Sequence, residues 1–152
     1  MREEKLDVTG VRDNVLDYLT GRFGLPRSLF DEYSFYLTSK ERIYLGPKSV
    51  PNNVRIVTIG LMVARATGPI KPTTNLLQVF GRHVKKNIVS LGKEQAISFL
   101  KGEDVRLSQP GDASEGYVLV KYLDYPLGCA LLKANALKNM LPKAKRLSVK
   151  YI

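Results

Sequence analysis

The stretch GYVLVKYLDYPLGCALLKANALKNMLPKAKRLSVKYI, residues 116–152, decides the fold of this chain. Apolar and β-branched runs alternate in it with turn residues, which is the pattern of successive antiparallel strands. We predict, in order, a strand over 117–123, a turn at 124–126, a strand over 127–132, a helical turn over 136–140 and a strand over 146–151. The carboxy-terminal part is therefore expected to be a β-rich unit.

The same stretch carries six lysines and one arginine against a single acid, Asp124. The whole chain has 24 Lys plus Arg against 14 Asp plus Glu, a formal net charge of +10. Residues 71–93 hold five cations and no acid, whereas residues 94–115 are acidic on balance. Because the excess is confined to two stretches, it favours a polyanionic partner, with nucleic acid foremost.

Composition narrows the class of protein. With 152 residues, 44% of them hydrophobic, the chain can bury a core in one domain or two small ones. The lone Cys129 cannot form an internal disulfide, which favours a reducing compartment, so we expect a cytoplasmic protein. No run approaches the about 18 apolar residues of a membrane span, and the start MREEKLDVTG is charged, so no membrane partner is expected.

The first half of the chain has the pattern of mixed α and β structure. Apolar spacing predicts a helix over 11–23 ended by Gly24, then a short helix in PRSLFDEY. YSFYLTS and ERIYLGPK are typical of a β-hairpin, and NVRIVTIGLMVARAT of two strands that bend at Gly60. Thr73 or Thr74 can cap a helix from Asn75 to about Val84. Its expected inward-facing residues are Leu76, Leu77, Val79 and Phe80.

The middle of the chain supplies a strand, a helix and a second strand. NIVSLG predicts the first strand, KEQAISFL a short helix stopped by Gly102, and DVRL the next strand. QPGDASEG is a loop by composition.

Catalytic signals are weak. His83 is the single histidine and lies among Arg82, Lys85 and Lys86, where a surface position explains it. Neither a phosphate-binding glycine loop nor a metal-ligand spacing is present, so no cofactor or metal is expected. A carboxylate pair assembled in space, for example Asp104 with Asp124, stays open.

From residue 87 onward the order of elements resembles the PUA domain, a pseudobarrel attached to RNA-modifying enzymes and ribosome assembly factors. FLKGEDV is similar to that family's helix-to-strand corner, and GYVLV with PLG to its central hairpin. IKPTTNLLQVFG and LKNMLPKAKR resemble the RNA-binding module of Sun-family (RsmF-like) RNA 5-methylcytosine methyltransferases. YSFYLTSKERIYLG and GLMVARATG resemble a pre-PUA plus PUA assembly factor of the large ribosomal subunit.

The resemblance implies an α+β chain. We predict an amino-terminal α/β pre-PUA-like lobe over residues 1–85 and a carboxy-terminal PUA-type β pseudobarrel over residues 86–152. The methyltransferases also carry a Rossmann-like domain with paired catalytic cysteines, whereas this chain has neither the length nor the second cysteine. We therefore expect no enzyme activity.

The resemblance also implies an RNA-facing groove between the glycine corner and the final strand. The predicted RNA-binding residues are Lys101, Gly102, Lys121, Lys133, Lys138, Asn139, Lys143, Lys145, Arg146 and Lys150. A secondary set comprises Lys71, Arg82, Lys85 and Lys86, although cations after a helix also complement its dipole. Gly102 can equally be a plain helix cap. Tyr122 and Tyr125 serve either packing or base stacking.

These patterns predict a non-catalytic RNA-binding protein that acts on rRNA or tRNA during ribosome assembly or RNA modification. The alternative is a protein-interaction adaptor, in which the first lobe docks a ribosome assembly factor or an RNA-modifying enzyme. A third interpretation is an RNA-modifying enzyme that works through carboxylates.

Overall fold

The computed structural model describes residues 3–4, 9–38, 40–48, 60–66, 68–109 and 111–147, with the backbone alone at residues 3, 4 and 9. Three α-helices occur in these ranges: α1 (Thr9–Phe23), α2 (Thr74–Phe80) and α3 (Lys93–Leu100). Short 3₁₀ turns cover Arg27–Phe30, Gly81–His83 and Lys143–Lys145. Following the predicted boundary, we call residues 9–85 the first lobe and residues 86–147 the second lobe.

The first sheet is an antiparallel meander. It contains β1 (Glu3–Glu4), β2 (Tyr33–Thr38), β3 (Arg42–Pro47), β4 (Leu61–Arg65) and β5 (Lys71–Pro72), in that order. Ile43 and Ala64, which lie opposite each other on β3 and β4, are fully buried against α1 and α2 in one core. Arg42 and Tyr44, which flank Ile43 on β3, lie on the other face.

The second sheet mixes strand directions. It contains β6 (Ile88–Ser90), β7 (Val105–Arg106), β8 (Gly116–Tyr122), β9 (Tyr125–Lys133) and β10 (Ala136–Asn139), in the order β6-β8-β9-β10-β7. β6 runs parallel to β8, and the other pairs are antiparallel. The molecule is thus a mixed α and β structure with two sheets, as the α+β prediction requires.

Several predicted elements are confirmed. α1 ends at Phe23, and Gly24 follows with φ of 68°. β2 and β3 form the predicted hairpin. Thr73 caps α2, because its hydroxyl accepts a hydrogen bond of 3.1 Å from the backbone N–H of Leu76. α3 occupies the whole of KEQAISFL. Local sequence signals decide all four features.

The helical turn predicted over residues 136–140 is wrong, since this stretch begins with strand β10. Ala134 and Asn135 take positive φ angles of 51° and 62° and form a two-residue hairpin turn between β9 and β10. Such a turn matches the twist of the two strands, and it places Leu137 and Asn139 on the buried side. Tertiary pairing therefore overrides the local pattern.

The structure also differs from three smaller predictions or leaves part of them undescribed. Helical spacing predicts that Val79 faces inward, but 56% of it is exposed because α2 presents that side to solvent. The β8–β9 turn consists of Leu123 and Asp124, and Tyr125 already belongs to β9. Arg146 and Leu147 lie outside any strand, and residues 148–151 of the predicted last strand lie outside the described residues. So does the strand predicted before Gly60.

Two strands of the second lobe contribute side chains to the core of the first lobe. Leu119 on β8 and Cys129 on β9 belong to the buried cluster of the first lobe, whereas Val118 and Val120 belong to that of the second. Successive residues of a strand point to opposite faces, so the middle of the second sheet is buried on both sides. The division into two domains stays a prediction, because side chains from the second lobe complete the first core.

Candidate nucleic-acid interface

The glycine corner lies where α3 ends. Gly102 has φ of 96°, and its N–H donates to the carbonyl of Phe99 at 2.9 Å. The last described residue, Leu147, donates its N–H to the carbonyl of Leu100 at 2.8 Å. This bond brings the carboxy-terminal segment onto the final turn of α3, so the corner and the segment form one surface.

Arg146 covers Gly102. A Cβ atom at position 102 would lie 2.6 Å from the Arg146 Nε and 2.9 Å from its Cζ, so only glycine leaves room for the guanidinium. The Nε atom donates to the carbonyl of Leu141 at 3.0 Å. Among the described residues, the two terminal nitrogens have no hydrogen-bond or ion-pair partner. The exposed Arg146 is thus held at its base and open at its tip.

Asn139 holds the corner together from inside. It is only 9% exposed, and its Nδ2 donates to the carbonyls of Phe99 and Glu103 at 2.7 and 2.8 Å. Its Oδ1 accepts from the N–H of Leu141 at 2.8 Å. A direct RNA contact through this amide would require breaking these bonds, so the structure gives Asn139 a positioning role.

The other corner lysines differ in their surroundings. Lys101 is half-buried, and Lys143 is exposed. Lys145 is exposed and donates through Nζ to the Gln78 Oε1 at 3.1 Å, which places it against α2. Lys150 lies outside the described residues.

A second group of cations lies on the opposite face of the second sheet. Lys133 and Arg106 both pair with Ala136, and Lys138 follows two residues later on β10. Directly opposed residues share a face, so the three exposed cations surround one small side chain. We call Arg106, Lys133 and Lys138 the outer basic face. Arg106 was missed because its strand register cannot be read from DVRL alone.

The predicted RNA-binding cations therefore lie on more than one surface of the second lobe. The structure joins Gly102 to Arg146 and places Lys133 and Lys138 on the other face of the sheet. Lys121 pairs with Pro126, seven residues along β9 from Lys133, which separates them by about 23 Å.

The secondary set is also dispersed. Lys71 lies on β5 of the first sheet, and Arg82 follows Gly81, which packs against Pro126. Lys85 and Lys86 both donate their backbone N–H groups to the carbonyl of Phe23, at 2.8 and 3.2 Å. The last two line a cavity of about 500 Å³ together with Asn87, Asp112 and Ser114.

Arg22 closes the junction between the lobes. Its Nε donates to the carbonyl of Tyr117 at 2.8 Å, and its terminal nitrogens donate to the Ser114 hydroxyl and carbonyl at 2.6 and 2.7 Å. Asn87 adds a bond from its Nδ2 to the Arg22 carbonyl at 2.6 Å. Burial lowers the pKa of Arg22 from its ordinary value. All three donor nitrogens of this guanidinium are occupied.

The described residues offer little for catalysis. Burial raises the pKa of the Cys129 thiol to about 12, so it stays protonated and unreactive near neutral pH. Asp104 accepts a bond of 2.8 Å from the N–H of Asn139, far along the sheet from Asp124 in the β8–β9 turn. No group of three or more potential metal ligands occurs in these ranges.

No described helix is long and apolar enough to cross a membrane.

The family model of the methyltransferase RsmF PUA domain matches residues 86–147. The second lobe is a PUA-type, RsmF-like module. Residues 2–60 match a family of unknown function (DUF7122), and the pre-PUA-like arrangement of the first lobe stays a prediction.

One curated relative supports the same assignment. A segment of 53 residues is 45% identical to ribosomal RNA small subunit methyltransferase F of Shewanella pealeana. It covers 35% of this chain and 11% of that protein, so the chain spans a small part of the methyltransferase. The match to the RsmF PUA domain includes the glycine corner, Arg146 and the outer basic face.

Proposed function

We propose that this chain binds structured RNA through its PUA module and carries out no chemistry itself, with ribosomal or transfer RNA as the target. The observation that carries the proposal is the contact between Gly102 and Arg146 inside an RsmF-like module. The relative's name makes ribosomal RNA the first candidate.

The open tip of Arg146 suits a phosphate. A guanidinium presents parallel N–H donors that match two phosphate oxygens, and charge-assisted bonds of this kind are short and strong. Because the Nε bond to Leu141 and the packing over Gly102 already orient the group, little side-chain entropy is lost on binding. Phosphate contacts fix the position and register of a nucleic acid rather than its sequence.

The surrounding cations add affinity without adding sequence information. Lys143 lies in the turn just before Arg146, and the outer basic face adds three exposed cations around Ala136. Each neutralised phosphate releases condensed counterions, so the affinity should fall steeply with salt. An RNA that wraps the edge of the second sheet would reach both the corner cations, Lys143 and Arg146, and the outer basic face.

The first experiment tests the corner. We expect Lys143→Ala combined with Arg146→Ala to weaken binding of a labelled rRNA stem-loop more than tenfold. The slope of log affinity against log salt should shrink by about 0.7 to 0.9 for each phosphate that is no longer neutralised. The matched control is Lys48→Ala with Lys93→Ala, which removes two exposed cations elsewhere. Equal affinities for the two double variants, measured by fluorescence anisotropy, would refute the assignment.

Arg146→Lys separates geometry from charge. A lysine keeps the positive charge but has neither the Nε donor nor the planar group that packs on Gly102. We expect weaker binding with nearly the same salt slope.

A second candidate role is an adaptor that presents RNA to a methyltransferase in trans. It is favoured by the match of residues 86–147 to the PUA domain of RsmF. In the test, the segment that matches this chain is deleted from the Shewanella enzyme. The rate of methyl transfer is then measured with and without this chain added. Restored methyl transfer would support the adaptor, and an unchanged rate would argue against it.

A further inference from the structure

Three cations lie side by side across the first sheet. Arg42 on β3 is directly opposite Arg65 on β4, and Arg65 is directly opposite Lys71 on β5. Their neighbours in sequence, Ile43 and Ala64, point into the first core, so the cations leave from the other face. Arg65 and Lys71 are exposed, and Arg42 is half-buried. We call Arg42, Arg65 and Lys71 the cation row.

This arrangement costs free energy in the isolated protein. Neighbouring strands lie about 4.8 Å apart, and like charges directly opposite each other destabilise a sheet. The two ion pairs found within the described ranges both belong to Arg27, with Asp13 and Asp17. Within the described ladders of β3, β4 and β5, no residue paired with a member of the row is acidic.

We infer that the cation row binds the phosphates of a single-stranded RNA segment, as a second contact for the RNA that the PUA module holds; this inference rests on the proposed function. The row spans about 10 Å across three strands, and an anion there would relieve the repulsion. Two of its members are arginines, which bind phosphate through paired N–H donors.

An aromatic residue beside the row favours RNA over an acidic peptide. Tyr44 lies two residues from Arg42 on the same face of β3 and is half-buried, so part of its surface is accessible. Unpaired bases stack on such side chains while their phosphates meet neighbouring cations. An acidic peptide would use the cations and leave the aromatic surface unused.

Arg65→Gln tests the row, because it removes the central charge and keeps a hydrogen-bonding side chain. Without RNA, we expect the melting temperature to rise by about 2 to 4 °C, since two like-charge pairs are relieved. For an rRNA stem-loop with a long single-stranded extension, affinity should fall several-fold and the salt slope shrink by about 0.7. The stem-loop without the extension should bind as it does to the unmodified chain. Arg27→Gln, which breaks real ion pairs, is the control and should lower the melting temperature.

The outcomes separate this inference from the proposed function. Loss of affinity for the extended RNA alone, with the stem-loop unaffected, supports the row. Unchanged affinity for the extended RNA overturns it, even if Lys143→Ala with Arg146→Ala still abolishes stem-loop binding. Binding of polyglutamate that depends on Arg65, with no RNA effect, overturns it in favour of an acidic protein partner. A lower melting temperature for Arg65→Gln would mean that the like charges of the cation row do not destabilise the sheet, and this would overturn the inference.

Discussion

The junction between the lobes and the glycine corner each depend on one arginine, and they use it in opposite ways. At the junction, Arg22 directs its Nε and both terminal nitrogens to Tyr117 and Ser114. At the corner, the bond that Arg146 makes within the described residues comes from its Nε, which donates to Leu141. A guanidinium whose three nitrogens all donate within the protein stabilises the fold, whereas one that is fixed at Nε and open at its tip can bind an anion from outside.

The same contrast extends to the residues around each arginine. The junction is completed by buried Leu119 and Cys129, which join the core of the first lobe. The corner is completed by Asn139, whose buried amide positions the backbone without reaching the surface. Stability and binding should therefore respond separately to substitutions in the two regions.

Arg22→Ala should produce the largest effect. It removes three hydrogen bonds made by a charged group and leaves the Tyr117 carbonyl without that donor, so we expect a loss of about 3 kcal/mol in the free energy of unfolding. The figure is below the sum of three charged bonds because Arg22 is partly exposed to water. Urea denaturation gives the measurement.

Arg146→Ala is the matched comparison, since the same substitution there should cost less than about 1 kcal/mol of stability. RNA affinity, measured where both variants are folded, should be near normal for Arg22→Ala and reduced for Arg146→Ala. A folded Arg22→Ala protein that no longer binds RNA would break the distinction between the two regions.

Gly102→Ala should have the next largest effect and should change both properties. The φ of 96° strains any side chain, and the new Cβ would displace the Arg146 guanidinium. We expect the free energy of unfolding to fall by about 2 kcal/mol. RNA affinity should fall nearly as far as in Arg146→Ala. Combining the two substitutions should weaken RNA binding no further than Arg146→Ala alone, and additive effects would show that Gly102 acts independently.

Sequence patterns predicted the parts of the molecule that depend on nearby residues. Thr73, Gly24 and the end of α3 followed from capping and glycine preferences, and Gly102 followed from its place after that helix. The RsmF-like resemblance is confirmed over residues 86–147. The predicted RNA contacts at the corner stay predictions.

Features that depend on distant pairing could not be predicted. The local pattern of LKNM has no strong strand signal and favours a helical turn, and only pairing with β9 makes this stretch a strand. The cation row depends on a bulge in the β3–β4 ladder between Ile43 and Tyr44, which sets which residues are opposed. Arg146 and Gly102 are 44 positions apart, so no periodic pattern connects them.

The smallest expected effect is the change of stability with pH that comes from Cys129, which is buried at the junction. Burial raises its pKa to about 12 from 9.0, so the folded state favours the protonated thiol. Its contribution to stability is complete below pH 9 and is lost as the pH rises toward 12, by about 1 kcal/mol at pH 10. Urea denaturation should show this decline, and a Cys129→Ala variant should show less of it. Rapid alkylation of the folded protein at pH 8 would contradict the assignment, because it would mean that the junction opens and leaves Arg22 without its closing role.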